Sequence, residues 1–333
     1  MDMKKKIISD FLIIMVFTLV MSWSVANAKP QATQTFILHP GWNAIFLEVQ
    51  LEPRDPATVF ESLPIESVWA WLDRHSTVEF IQNPEEGLWN KPGWHGYFPD
   101  AEKALLTNLF AIIPNQAYLI KLNGDKEINW TVTGSPSVRK IKWIPDSFNL
   151  AGFHVRSDTP PNFQAFFSAS TAHAGQAIYR LNRQGKWEFI EKPSFHFIQT
   201  GEAYWVYCKG GSDFQAPLDM KLPMIEGLNY GATLTQLTIT LHNLSQVQRT
   251  VTLTLSSPDV VLAYKEYDPS TGFYSWPLLD QMSPIQLAAG RQANIQLTVR
   301  REGMSPGVTG SVLVIKDDKG IQIRVPVIVE KVG

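Results

Sequence analysis

An internal duplication in the first two thirds of the chain restricts the folds that are open to it. Five short patterns occur twice in the same order, starting at Trp42-Asn43 and Phe148-Asn149 and ending at Tyr118 and Tyr204. The offset between the copies is 106 residues at the first match and 86 at the last. We therefore expect two equivalent units with one strand order, the first carrying an insertion of about 20 residues.

Each copy has the pattern of short strands, turns and one short helix. Proline following Asp55 and Thr159 is typical of a helix N-terminus. The matches place repeat 1 at residues 33–137, with its insertion at about 83–105, and repeat 2 at residues 138–222. Because aromatic residues at repeated strand positions are typical of a core, six rings are predicted to form it: Trp42, Phe148, Tyr118, Tyr204, Trp69 and Trp205.

The last hundred residues show a different pattern, a strict alternation of apolar and Thr-rich positions. Residues 237–241, 251–255 and 295–299 alternate in this way, and Gly-, Pro- and Asp-containing turns separate the runs. Such alternation indicates antiparallel strands that are packed on one face. About seven strands in this length predict an immunoglobulin-like sandwich over residues 226–333. Pro326 lacks an amide donor, so its strand is predicted to be an edge or to be bulged there.

Two resemblances accompany these patterns. The turn before Gly41-Trp42-Asn43 and the later Gly201-Glu202-Ala203-Tyr204-Trp205 resemble the Gly-Trp-Asn-type β repeat of bacterial secreted and surface proteins. Copy two departs from that pattern at Ser147-Phe148, and copy one departs at Leu119. The C-terminal stretch resembles bacterial immunoglobulin-like and fibronectin-type-III-like modules. These resemblances imply a mainly β chain of tandem repeats with short helices only, followed by a spacer or docking module, and they imply no catalysis.

The N-terminus predicts export. Lysines at positions 4–6 precede an apolar run at residues 11–21, and Ala26-Asn27-Ala28 fits the small-x-small cleavage rule. Residues 1–28 are therefore predicted to be a cleaved signal peptide, because the apolar run is shorter than the roughly 20 residues that span a bilayer. A retained anchor is the alternative. The predicted location is the periplasm, the cell surface or the extracellular space, with no membrane span after cleavage.

Charge and cysteine content narrow the functions further. The chain has 29 basic and 31 acidic residues, and no block of like charge suggests binding to nucleic acid. Cys208 is the only cysteine, so the exported fold has no internal disulfide. No metal site or cofactor is predicted, because no two histidines have ligand spacing and no phosphate-binding motif occurs. The oligomeric state is left open.

One motif suggests an enzyme but fails on mechanism. Residues 303–307 match the G-x-S-x-G pattern around Ser305. That elbow uses the backbone N–H of the residue after the serine, and here this residue is Pro306, which has none. The adjacent acids Asp317 and Asp318 lie in a turn-like context, where a solvated position is expected. No catalytic residue is therefore predicted.

The insertion holds the most unusual composition, a Gly- and Pro-rich segment with several rings. Two interpretations are open: the rings contact a glycan or protein partner, or they fold back as a local core. The residues proposed for such contact are Trp89, Trp94, His95, Tyr97 and Phe98. The predicted function is a non-catalytic structural or interaction protein. Carbohydrate binding through these rings is the alternative, and a hydrolase is a third possibility.

Overall fold

The computed structural model describes residues 29–71 and 93–333. The predicted signal peptide, Trp89 and most of the predicted insertion lie outside the described residues. The described chain consists of many short strands and only two short α-helices. The mainly β class predicted from the sequence is confirmed.

The described elements follow one another along the chain with short connections. The strands are β1 Ala32–Leu38, β2 Gly41–Leu47, β3 Val49–Gln50, β4 Ile65–Trp71, β5 Trp94–Tyr97, β6 Gln116–Leu122, β7 Ile128–Pro136, β8 Ser147–Ala151, β9 Ile178–Leu181, β10 Trp187–Phe189, β11 Tyr204–Cys208, β12 Leu218–Lys221, β13 Leu228–Gly231, β14 Gln236–Asn243, β15 Arg249–Leu255, β16 Leu262–Tyr264, β17 Glu266–Asp268, β18 Phe273–Ser275, β19 Ile285–Leu287, β20 Gln292–Val299, β21 Gly307–Asp317 and β22 Gln322–Lys331. The helices are α1 Pro56–Val59 and α2 Phe163–Phe167.

The two repeats form four-stranded sheets with the same strand order. Repeat 1 has the order β2-β6-β4-β5, and repeat 2 has the order β8-β11-β9-β10. The register is also the same: Tyr118 pairs with Ile45 in repeat 1, and Tyr204 pairs with Ala151 in repeat 2. Pairing across strands therefore makes Trp42 the equivalent of Phe148, and Tyr118 the equivalent of Tyr204.

Buried hydrogen bonds recur at the equivalent positions. The Asn43 side chain accepts from His39 N and donates to His39 O, each at 2.8 Å, which fixes the turn before β2. Asn149 accepts from Ile144 N at 2.8 Å and donates to Ile144 O at 3.1 Å before β8. Since a buried amide needs partners, these asparagines are bound to their turns.

Short helices also occupy equivalent places. Asp55 caps α1 by accepting from Thr58 N at 2.9 Å, and Asn162 caps α2 by accepting from Ala165 N at 2.7 Å. The helix start predicted after Thr159 is wrong by a few residues. The cap that begins α2 is Asn162, because its side chain satisfies a free N–H of the first turn.

The two repeat sheets pack face to face through a core rich in tryptophan. Trp205 is fully buried at its centre, and its ring centroid lies 6.1 Å from Trp187, 6.2 Å from Trp94 and 6.4 Å from Trp71. The backbones also join, since Phe46 N–H donates to Gly201 O at 2.7 Å. The repeats therefore form one unit with a shared core.

Two equivalent residues, Phe46 and Gly152, meet where the sheets cross. A Cβ atom added to Gly152 would overlap Cβ of Phe46 and would lie 2.7 Å from the carbonyl oxygen of Glu202. Real Cβ contacts are much longer, so only glycine fits opposite this phenylalanine. Contact between equivalent positions is the geometry of a twofold axis, and here the axis relates two halves of one chain.

The outer face of each repeat sheet is covered differently. A three-stranded sheet of order β1-β7-β3 covers repeat 1, with Phe36 and Trp130 stacked at 5.3 Å. In repeat 2 the phenylalanines of α2 fill that role together with Trp143 and Phe214. The Trp143 indole N–H donates to Phe214 O at 2.6 Å, which fixes the end of repeat 2 against its start.

The predicted position of the insertion is wrong. Strand β5 lies within residues 83–105, yet it pairs with β4 as β10 pairs with β9, so it belongs to the repeat. Twenty-two residues separate Trp71 from Trp94, whereas five separate Leu181 from Trp187. The main extra segment therefore begins directly after Trp71, and the predicted match of residues 78–80 to β10 lies outside the described residues.

The C-terminal domain is an immunoglobulin-like sandwich. One sheet has the order β12-β14-β20-β16, and the other has β13-β22-β21-β15-β19. Because β12 pairs with β14, the sandwich begins before residue 226, and the predicted end of repeat 2 at residue 222 is too late. Strand β22 lies between β13 and β21 and is not an edge strand. Pro326 is tolerated because β13 pairs with β22 only from Val327 onward.

Candidate interaction surfaces

The predicted contact residues of the insertion divide into packed and partly exposed side chains. Trp94 is 6% exposed and lies in the shared tryptophan core, because it is the β5 equivalent of Trp187. The prediction that Trp94 contacts a partner is therefore wrong. Phe98 packs edge-on against Trp69 with ring centroids 5.2 Å apart, and Tyr97 packs beside the core of repeat 1. His95 is half-buried, with Nδ1 3.2 Å from Asn108 O. The packing interpretation fits these rings.

Five of the six rings predicted to form the repeat core are buried. Tyr118, Tyr204 and Trp205 are almost fully enclosed, Trp42 and Trp69 nearly so, and Phe148 is half-buried. Both tyrosine hydroxyls bond to a backbone group five residues earlier. Tyr118 accepts from Ile113 N at 2.7 Å, and Tyr204 accepts from Gln199 N at 2.9 Å. Burial raises the pKa of both phenols, so both remain neutral hydrogen-bonding groups.

The largest exposed aromatic group lies elsewhere, on a hairpin of the C-terminal sandwich. Strands β17 and β18 pair only with each other, outside the two sandwich sheets. Phe273 is 74% exposed, Tyr274 61% and Tyr267 53%. A cluster of exposed large rings on a globular domain is the informative exception to burial. We call residues 265–276 the aromatic hairpin.

The cross-strand register sorts the side chains of the aromatic hairpin by face. Tyr267 lies opposite Tyr274, with ring centroids 5.3 Å apart, and Trp276 follows two residues later on the same face. The ammonium of Lys265 lies 4.1 Å from the Tyr274 ring centroid and 5.9 Å from that of Trp276. Phe273 is on the opposite face, so the hairpin presents rings on both sides.

Local contacts hold the aromatic hairpin in place. At its base, Tyr264 N–H donates to Pro277 O at 3.0 Å. At its tip, Asp268 accepts from the Ser270 amide and hydroxyl at 2.8 and 2.6 Å, and these bonds lower the pKa of its carboxyl. Gly272 takes a φ of 74°, as the tight return requires. The exposed rings are therefore carried on a defined turn.

Two open clefts lie where the repeats meet, and equivalent parts of the repeats line them. The larger, of about 750 Å³, is lined by residues 42–45 of β2 and by residues 199–203 of repeat 2. The smaller, of about 470 Å³, is lined by residues 149–151 of repeat 2 and by residues 115–117 of repeat 1. The duplication therefore produces a pair of related clefts.

The two clefts differ in charge. The larger contains two ion pairs, His39 with Glu127 at 2.9 Å and Arg180 with Glu188 at 3.6 Å. The smaller is bordered by Arg139, Lys140 and Lys142. Related backbone frames thus carry different side chains.

A buried carboxylate joins the three units. Glu48 of repeat 1 is 3% exposed and accepts from Arg324 of the sandwich at 2.7 Å, while His154 Nδ1 of repeat 2 lies 3.1 Å away. Burial by itself raises the pKa of Glu48, but His154 and Arg324 outweigh burial and hold it below its usual 4.5. The other carboxylate oxygen, Oε1, has no hydrogen-bond partner in residues 29–71 and 93–333. This junction fixes the sandwich against the repeats.

Other ionisable groups with chemical potential are buried and structural. Burial raises the pKa of the Cys208 thiol to about 11, so it is a poor nucleophile. Asp317, predicted to be solvated, is 1% exposed and pairs with buried Arg249. That correction has a simple cause: the Asp317 carboxylate also accepts from Lys319 N and Ile321 N, which closes the turn.

Metal-binding clusters and membrane-spanning helices are absent from the described residues. Within residues 29–71 and 93–333, no group of three or more His, Cys, Asp or Glu side chains is placed to hold a metal ion. None of the helices in this part of the chain has the length and apolar character needed to cross a bilayer.

Sequence comparisons find no match, either among protein-family models or among curated proteins. Solved structures resemble about a third of the chain. The YadV chaperone aligns at 12% identity with a TM-score of 0.26, over 35% of this chain and 53% of that one. A complex of the Salmonella enterica SafA pilin with the SafB chaperone aligns at 18% identity with a TM-score of 0.22, over 34% and 54%. A PapD-like domain of human CEP192 aligns at 10% identity with a TM-score of 0.23, over 35% and 85%. The chain thus spans about half of the first and second of these structures.

Proposed function

We propose that this protein is an exported, non-catalytic interaction protein that binds a protein partner through the aromatic hairpin. The observation that carries the proposal is the exposure of Tyr267, Phe273 and Tyr274 on a turn that stands outside both sandwich sheets. Tyrosine and tryptophan are enriched among the residues that dominate protein interfaces. Their amphipathic rings contribute contact area with little conformational entropy to lose.

The shape of the aromatic hairpin suits a concave partner. Rings lie on both of its faces, so a flat surface would cover only one of them. Lys265 places a positive charge among the rings, which favours a partner pocket with an acidic rim. An exposed patch of a few rings is smaller than the ~800 Å² per partner of a standard stable interface. We therefore expect insertion into a pocket.

The non-catalytic part of the proposal rests on the one enzyme-like motif. Ser305 precedes strand β21 rather than a helix, and Pro306 has no amide to stabilise an oxyanion. The glycan-binding alternative depended on the insertion rings, and it loses Trp94 and Phe98 to the core. Export is supported by the signal-like residues 1–28.

Site-specific photo-cross-linking tests the hairpin directly. We would place benzoylphenylalanine at position 273 of the full chain in the cells that export it, and irradiate. A discrete protein adduct is expected, and it should disappear when Tyr267→Ser and Tyr274→Ser are added. The matched control carries the cross-linker at Phe195, which is 76% exposed but lies in repeat 2.

The outcomes decide between the alternatives. An adduct at position 273 but not at 195, with an unchanged melting temperature in the double variant, supports the proposal. Absence of an adduct at position 273, or an adduct that persists in the double variant, overturns it. Retention of the purified chain on a glycan array that is lost in the double variant would replace the protein partner by a glycan.

A further inference from the structure

The outer edge of the repeat 1 sheet is covered by the chain itself. Strand β5 is the edge, and its Gly96 N–H donates to Asn108 Oδ1 at 2.6 Å. The Gly96 carbonyl accepts from Asn108 N at 2.9 Å and from Leu109 N at 3.0 Å. Two residues further along, Phe98 N–H donates to the Thr107 hydroxyl at 3.1 Å. Residues 107–109, which we call the edge segment, therefore satisfy the polar groups of this edge.

The equivalent of Gly96 in repeat 2 is Phe189, as strand pairing shows. Gly96 lies opposite Trp69, and Phe189 lies opposite Tyr179. Trp69 and Tyr179 are themselves equivalent, because they pair with matching positions of β6 and β11. The two copies thus offer a direct comparison of the same edge position.

In repeat 2 this edge is open. Asn182 N–H donates to Lys186 O at 2.8 Å and Ile190 N–H donates to Ile178 O at 2.9 Å, so residues 186 and 190 face β9. Backbone polar groups alternate along a strand, so those of Phe189 point away from β9. Over residues 29–71 and 93–333, neither the N–H nor the C=O of Phe189 has a hydrogen-bond partner. Its ring is 52% exposed.

We propose that the β10 edge binds an extended segment of a partner protein that carries an asparagine opposite Phe189. An unpaired strand edge is a template for an added segment, and backbone bonds supply the affinity. The edge segment of repeat 1 shows the chemistry that fits: one side-chain oxygen for the N–H, and two backbone donors for the C=O.

The occupant is not a second copy of this chain. Its own edge segment is already bound to Gly96 in every copy, so it has no free donors to offer. The partner is therefore a different protein with an exposed Asn-containing extended stretch. This site lies in repeat 2 and does not depend on the aromatic hairpin, so either proposal can fail alone.

A peptide copy of the edge segment tests the proposal. The probe is the peptide of residues 104–110, Ala-Leu-Leu-Thr-Asn-Leu-Phe, with lysines added at both ends for solubility, titrated into the ¹⁵N-labelled chain of residues 29–333. Amide shifts are expected at Trp187–Phe189. Replacing the peptide asparagine by alanine should weaken binding ~3–10-fold, because one hydrogen bond is lost.

Two variants at one position separate the edge from the ring. Phe189→Pro removes only an outward N–H, which an edge strand tolerates, and should abolish the shifts. Phe189→Thr keeps the N–H and should keep binding. Shifts centred on Gly96, equal binding by Phe189→Pro, or no shifts in the wild type would each overturn the proposal. Should Phe189→Pro fail to fold, the asparagine-to-alanine peptide decides alone: equal affinity of the two peptides overturns it.

Discussion

Acidification should destabilise this protein through one buried histidine. His173 is 1% exposed, with its ring centroid 4.2 Å from Trp143 and 5.3 Å from Phe167. Its Nδ1 lies 2.7 Å from the Ser170 hydroxyl. Burial lowers the pKa of His173 to about 4 from its usual 6.5. The imidazole is therefore neutral in the folded protein at pH 5, where the unfolded chain would hold it protonated.

The sign and size of the effect follow from that difference. Because the unfolded chain binds the extra proton, the free energy of unfolding falls as pH drops below about 6.5 and stops falling near pH 4. One pKa unit is worth about 1.4 kcal/mol, so His173 removes about 3 kcal/mol over this range. That is a large part of the 5–15 kcal/mol by which domains are stable.

Urea unfolding of the wild type and of His173→Asn between pH 7 and pH 4 measures the effect. The variant keeps a polar atom for Ser170 and does not titrate, so the advantage of the wild type should shrink by about 3 kcal/mol across the range. Phe167→Leu is the control: it removes a neighbouring ring without a titrating group, and its deficit should be independent of pH. A constant difference between wild type and His173→Asn would refute the reasoning.

Three further predictions use the same unfolding assay. Trp205→Ala should cost ~3–5 kcal/mol, because it empties the centre of the shared core, and a loss below about 1 kcal/mol would contradict that core. Gly152→Ala should be destabilised by its contact with Phe46 and regain stability when Phe46→Ala is added, whereas additive losses would contradict the contact. Glu48→Gln should lose ~1–3 kcal/mol at pH 7 and much less at pH 3, where wild-type Glu48 is itself protonated, and an equal loss at both would contradict the ion-pair junction.

The duplication can be found in the sequence because its matches carry structural roles. Asn43 and Asn149 bind the turns that precede equivalent strands, and no other side chain offers the same donor and acceptor at that reach. Asn115 and Gly201 both take a positive φ, 52° and 80°, before equivalent strands. Residues with such local constraints leave a trace that spacing alone reveals.

Strand β5 shows where sequence comparison fails. Residues 78–80 match Trp187-Glu188-Phe189 in two of three letters, whereas Trp94-His95-Gly96 matches only at the tryptophan. What defines the strand is pairing with β4, a contact across a 22-residue connection that no local pattern records. Size is also exchanged between partners: Trp69 faces Gly96, where Tyr179 faces Phe189, so each pair fills the same space with different letters.

The aromatic hairpin escapes prediction for another reason. Asp268-Pro269-Ser270 indicates a turn, and the pattern places this turn among those of the sandwich. Nothing in the alternation of Tyr267 and its neighbours says whether a ring points into a core or into water. Exposure depends on whether another sheet lies above the strand, and β17 and β18 pair only with each other, outside both sheets.

The contact between Phe46 and Gly152 limits how the two halves can be exchanged. A homodimer must place one residue type on both sides of its axis, and two phenylalanines could not fit where even a methyl group on Gly152 would collide with one. Two copies of repeat 1 therefore cannot assemble in this way, and two copies of repeat 2 would leave a hole. Covalent linkage removes the requirement of self-complementarity, so each half has become the specific complement of the other.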